Sequence, residues 1–152
     1  MKLSSIPRVI FIAFLIVVCC ISCKKDEDKP VAPIIAFQSI SVSTVEQFNN
    51  NPIVKFTYED YQGDLGETDP DNYSLRVKDS RLGDFDWYHI PPMTPDLKEL
   101  HIKGSYTLEL PSLFLLGSGT QENTQLTIQI RDRAGNWSNI INTPNVLVVD
   151  SL

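Results

Sequence analysis

Apolar and polar residues alternate in a series of short runs along this chain. Val54, Phe56 and Tyr58 alternate with Lys55, Thr57 and Glu59, the period of a strand that buries one face and wets the other. The same period returns where Tyr73, Leu75 and Val77 are separated by Ser74 and Arg76, and where Tyr106, Leu108 and Leu110 are separated by Thr107 and Glu109. It returns again in Leu126, Ile128 and Ile130, with Thr127, Gln129 and Arg131 on the other parity. Around these runs, the β-branched stretch 34–43 predicts a first strand, 87–90 a short one, and 137–143 and 145–149 the closing ones. Pro33 fits the beginning of an edge strand, where a missing N–H does no harm. Residues 98–103 are ambiguous between a strand and one helical turn. Between the runs stand turn formers: Asn49-Asn50-Asn51-Pro52, the stretch 79–86, Pro91-Pro92-Met93-Thr94-Pro95, the loop of Gly117 and Gly119, and Asp132-Arg133-Ala134-Gly135-Asn136. No amphipathic helix of ten residues and no internal repeat is found. About seven short strands so separated predict an all-β, two-sheet antiparallel sandwich, in the order of an immunoglobulin-like or fibronectin-type domain.

The start of the chain has a different character. Lys2 and Arg8 precede an uncharged run of 13 residues at 9–21, shorter than the ~20 apolar residues that cross a bilayer. That is the shape of an export-signal core. Ser22 stands directly before Cys23, and the charges of Lys24-Lys25-Asp26-Glu27-Asp28 follow at once. This junction resembles the lipobox of bacterial lipoproteins. The resemblance implies cleavage before Cys23, a diacylglyceryl group on its sulfur and an acylated new amino end. Cys20 stands where that family usually has Leu, so processing at Cys19 or Cys20, a plain secretory signal, and an uncleaved anchor remain alternatives. The 24–28 run is similar to the surface-export signal of Bacteroidota-type lipoproteins, which implies the outer face of the outer membrane. It also serves as a solvated tether. The expected organisation is a leader at 1–22, a lipidated cysteine and tether at 23–32, and the sandwich at 33–152.

Composition narrows the chemistry. From Cys23 onward 130 residues remain, enough for one domain with its own core. They carry 11 basic against 19 acidic side chains, a net charge near −8. Nucleic acid is thereby an unsuitable partner, since its binding needs a basic footprint. All three cysteines belong to the leader and the lipid site, so the exported domain is held by its core, without disulfides. With only His89 and His101 as soft ligands, zinc and iron–sulfur sites are ruled out in practice.

The stretches YEDYQGDLGE and IRDRAGNWSN resemble the small Ig-like domains of Bacteroidota surface lipoproteins, in which an acidic Gly-Asp loop and a DRAGN turn recur. The resemblance implies fold and address more than activity. Six carboxylates, from Glu59 to Asp71, fall within thirteen residues that contain no Lys or Arg. Their centre, Asp60-Tyr61-Gln62-Gly63-Asp64-Leu65-Gly66, has the pattern of a loop wrapping a hard cation, glycines allowing the turn and carboxylates supplying oxygen. Family members often have Asp where Gln62 stands. The Ig-like order brings Asp132 to the same end of the sandwich. The expected cofactor is therefore Ca2+, held by Asp60, Gln62, Asp64, Asp69 and Asp132. The competing reading is plain turn chemistry, with Asp132 accepting from its own turn and Gly135 supplying a positive φ.

Trp87 and Tyr88 offer aromatic faces for a glycan, but point to opposite sides of a strand, so one of them, and Trp137, are expected in the core. No acid, base and nucleophile set is grouped in the sequence, so an enzyme is not expected. The function expected is a lipid-anchored, non-catalytic binding or structural interaction module with a protein or glycan partner. The alternative is a carbohydrate-binding accessory of an outer-membrane uptake system.

Overall fold

The computed structural model describes residues 29–94 and 100–151. The expected leader at 1–22, the lipid site at Cys23 and the charged run at 24–28 lie outside the described residues, as do Lys98 and Glu99 of the ambiguous 98–103 stretch. The described residues hold ten strands and no helix: β1 (Ile34–Ile40), β2 (Thr44–Glu46), β3 (Ile53–Asp60), β4 (Leu75–Asp79), β5 (Asp86–Tyr88), β6 (Ile102–Glu109), β7 (Gln121–Thr124), β8 (Leu126–Ile130), β9 (Ile141–Asn142) and β10 (Val146–Val149). A three-stranded sheet in the order β1-β3-β6 faces a four-stranded sheet in the order β5-β4-β8-β9. Both are antiparallel throughout. A smaller sheet, β2-β10-β7, closes one side, with β2 parallel to β10. This is the all-β, Ig-like sandwich that the alternation predicts.

The inward parity of each strand builds the core. Val54 and Phe56 of β3, Leu75 and Val77 of β4, and Ile128 and Ile130 of β8 are all buried in one cluster between the two sheets. Each such side chain contributes about 1.5–3 kcal/mol by leaving water. Val45, Val146 and Val148 form a second, smaller cluster under the closing sheet.

Where about seven strands are expected, the described residues hold ten, and several of the differences have a local cause. The strand expected at 34–43 ends at Ile40, where the chain leaves β3, and an unexpected strand, β2, follows at Thr44–Glu46 beside β10. Strand β7, Gln-Glu-Asn-Thr, buries only Thr124 and so carries no apolar alternation to read. The 137–143 stretch is a strand only at its end: Trp137 makes a single bridge to Arg131, and β9 is two residues long. The ambiguous 98–103 stretch enters β6 at Ile102.

The open edge of β1 is covered by the segment that leads from β8 into β9. Asn139 accepts from the Ile35 N–H through Oδ1 at 2.8 Å and donates from Nδ2 to the Ile35 carbonyl, also at 2.8 Å. One side-chain amide thus does what a neighbouring strand would do. The register sets two poles. Asp60 pairs with Ile102 and Leu75 with Ile130, so the loops 61–74 and 131–140 share one end of the sandwich. The loops 41–52, 80–85 and 110–120 share the other.

Candidate functional site

Asp60 ends β3 with its side chain fully buried. Its Oδ1 accepts from the Gln62 N–H at 3.2 Å and its Oδ2 from the Asp64 N–H at 2.8 Å. The carboxylate therefore winds the loop around itself. Two glycines let the loop turn that tightly, Gly63 at φ +69° and Gly66 at φ +85°. A Cβ on Gly63 would sit 1.9 Å from the Leu100 carbonyl oxygen, and one on Gly66 2.1 Å from that of Pro91.

The second hairpin arrives at the same place. Asp132, also buried, accepts from the backbone N–H of Asn136 at 2.7 Å and from its Nδ2 at 2.9 Å, while Gly135 turns the chain at φ +92°. The Arg133 N–H donates to the Asp64 carbonyl at 3.1 Å, and the Ala134 N–H to Asp64 Oδ2 at 3.2 Å. Leu65 and Asp132 form an isolated antiparallel bridge. The Arg133 guanidinium goes to the Gly66 carbonyl at 2.8 Å.

Asp60, Asp64 and Asp132 are thus drawn together, with Gln62 in the same loop. Burial pushes the Asp64 carboxyl above its ordinary value, and the neighbouring charges of Asp132 and Asp60 push it further. Two oxygens within this arrangement, Gln62 Oε1 and Asp64 Oδ1, are inaccessible to solvent and have no hydrogen-bond donor. Asp69 is not drawn in: it is exposed, and caps its own turn by accepting from the Asp71 N–H at 3.0 Å. Among the described residues no group of three or more His, Cys, Asp or Glu side chains is disposed to hold a metal ion by itself. A cation at this loop would therefore rest on the amide oxygen of Gln62 and the carboxylate of Asp64. Asp60 and Asp132 keep spare lone pairs beside the N–H groups they accept.

The aromatic candidates separate by parity. Tyr88 packs against the core, whereas Trp87, 44% exposed, faces outward from β5 opposite Arg76. Trp137 is not in the core as expected. It pairs with Arg131, whose parity is outward, and so lies half-buried on the outer face, edge-on to Trp87 with ring centroids 5.8 Å apart. The Arg76 guanidinium covers the Trp137 ring at 4.0 Å and donates to Gln129 Oε1 at 2.6 Å. Sequence reasoning passed over Arg76, Lys78 and Arg131. Their signal was the polar parity of two strands that the structure pairs side by side.

The other pole holds a structural ion cluster. Burial alone would raise the Asp79 carboxyl, but hydrogen bonds from Arg81 and Thr124 hold it below its ordinary value. Arg81 spans Asp79 at 2.7 Å and Glu122 at 2.8 Å. Nearby, Phe48 stacks on Phe114 with centroids 5.6 Å apart. No protein-family model, no curated protein and no solved structure matches this chain.

Proposed function

We propose that the chain is a lipoprotein, anchored through Cys23 at the outer face of the outer membrane, whose Ig-like domain is a non-catalytic binding or structural interaction module stabilised by calcium. The anchor rests on the short apolar core, Ser22-Cys23 and the charges that follow. The calcium part is carried by one observation: Gln62 Oε1 and Asp64 Oδ1 are both buried without a donor, beside the carboxylates of Asp60 and Asp132. A buried acceptor left without a donor costs about 1–3 kcal/mol. A hard cation relieves that cost and the mutual repulsion of the carboxylates together, its remaining positions filled by water or backbone carbonyls.

Two experiments test the two parts. Growth of expressing cells with an alkyne-tagged fatty acid should label the full chain, and Cys23→Ala should abolish the label; a label that persists in Cys23→Ala places the lipid elsewhere or nowhere on this residue. Calorimetric titration of the full chain in neutral detergent should show a calcium site that Asp64→Asn removes. A titration without heat at any calcium concentration that leaves the protein folded would remove the cation from the account.

A second reading, a carbohydrate-binding accessory of an outer-membrane uptake system, is favoured by the exposure of Trp87 beside Trp137 on the outer face of the four-stranded sheet.

A further inference from the structure

The outward positions of β4, β5 and β8 contrast with the rest of this acidic chain. They are Arg76 and Lys78, Trp87, and Thr127 and Gln129, with no carboxylate among them. Arg131 and Trp137 extend the row past the end of β8. Arg76 lies 4.0 Å from the centroid of Trp137 and 4.5 Å from that of Phe85, and Arg131 lies 5.4 Å from Trp137. Lys78 stands 5.6 Å from Phe85. Among the described residues, none of these three cations pairs with a carboxylate. They are instead fixed by aromatic rings, by Gln129 and by the Tyr73 carbonyl, which accepts from Arg131 at 3.2 Å.

From this arrangement we infer that the outer face of the β5-β4-β8 sheet docks an anionic polysaccharide, one whose sugar rings carry carboxylate or sulfate groups. The inference rests on the reading of the domain as a binding module and names its ligand class. Trp87 supplies a flat, exposed apolar surface for the C–H face of a sugar ring, and its indole is held in place by the edge of Trp137. Arg76, Lys78 and Arg131 supply charge for the acidic substituents, with Arg suited to planar oxyanions. A net charge near −8 over the chain from Cys23 makes the face complementary to an acidic ligand only locally, so the ligand must reach the face without lying across the acidic pole. A chain of sugars laid across the strands, from Trp87 over Arg76 towards Gln129, does so. An acidic protein would use the cations but has no need of the exposed indole.

The test is binding of the full chain, in neutral detergent, to immobilised polygalacturonate, chondroitin sulfate, dextran and polyglutamate. Retention on the carboxylated or the sulfated polysaccharide is expected, weakening with added salt, with little on dextran or polyglutamate. Trp87→Ala and Lys78→Glu should each weaken that retention about tenfold or more, at unchanged melting temperature. Equal retention on dextran would remove the anionic requirement, and equal retention on polyglutamate would make the face a site for acidic proteins; either overturns the inference. So does retention that both variants leave unchanged. Absence of retention on every matrix, in protein whose melting still responds to calcium, overturns this inference while leaving the cation loop standing.

Discussion

Glycine 63 and glycine 66 are required twice over, once for their positive φ and once because backbone carbonyls of Leu100 and Pro91 occupy the space a side chain would need. Gly135 is required only for φ, since a Cβ there meets nothing. Alanine should therefore cost about 1 kcal/mol at Gly135 and at least about 2–3 kcal/mol at Gly63 or Gly66, measured by denaturant unfolding. Equal losses at all three would mean that the close approaches relax freely. Asp64 carries a pH signature as well. Its carboxyl titrates above its ordinary value, because of burial first and then the charges of Asp132 and Asp60. The stability associated with its protonated form is complete below the ordinary Asp range and is lost as pH rises through the raised value. Asp64→Asn, which cannot ionise, escapes that loss. In chelator the variant should gain on the native protein as pH rises through the carboxylate range, and a constant difference would contradict the repulsion described. The acidic loop and the DRAGN turn were legible because glycine and aspartate state their purpose locally. Asp69, of the same residue type, caps an exposed turn by accepting from the Asp71 N–H.

At the scale of elements, pairing decides what single-strand periodicity cannot. The inward residues of β3, β4, β6 and β8 were readable from alternation, but the outer face was not. Arg76, Gln129 and Trp87 become neighbours only when β8 and β5 take their register on either side of β4. Trp137 was expected inside for its size, and lies outside because it pairs with the outward Arg131. Strand β7 escaped notice because all four of its residues are polar and it is held by pairing with β10. Its Thr124 helps hold Asp79, whose carboxylate also receives Arg81. Among the described residues, Asp79→Ala leaves the Arg81 guanidinium with Glu122 and the Phe114 carbonyl, and should cost about 2–4 kcal/mol. Because Asp79 titrates below its ordinary value, its contribution is present above the unfolded carboxylate range and fades as pH falls through the lowered one. The penalty of Asp79→Ala should therefore shrink in acid. Asn139→Ala exposes the edge of β1 at Ile35. A loss of about 1–2 kcal/mol is expected, together with faster amide exchange at Ile35, and unchanged exchange would assign the sealing of that edge to other contacts.

Over the whole molecule, the two poles have separate surroundings. The described chain begins at Lys29, whose ammonium lies 6.0 Å from the Tyr61 ring beside the acidic loop. An anchor at Cys23 would place that pole towards the membrane and leave the loops 41–52, 80–85 and 110–120 facing away. We propose that a cation completes this sandwich at the pole where Asp60, Asp64 and Asp132 converge. The most direct measurement is thermal unfolding of the full chain in neutral detergent, in excess calcium and in chelator, for the native protein and for Asp64→Asn. Calcium at a hundred times its dissociation constant should stabilise by ~2.7 kcal/mol, a rise of several degrees for a domain of this size, and Asp64→Asn should show none. No rise in the native protein, or the same rise in the variant, would contradict the account and reduce the loop to a tight turn closed by its own carboxylates.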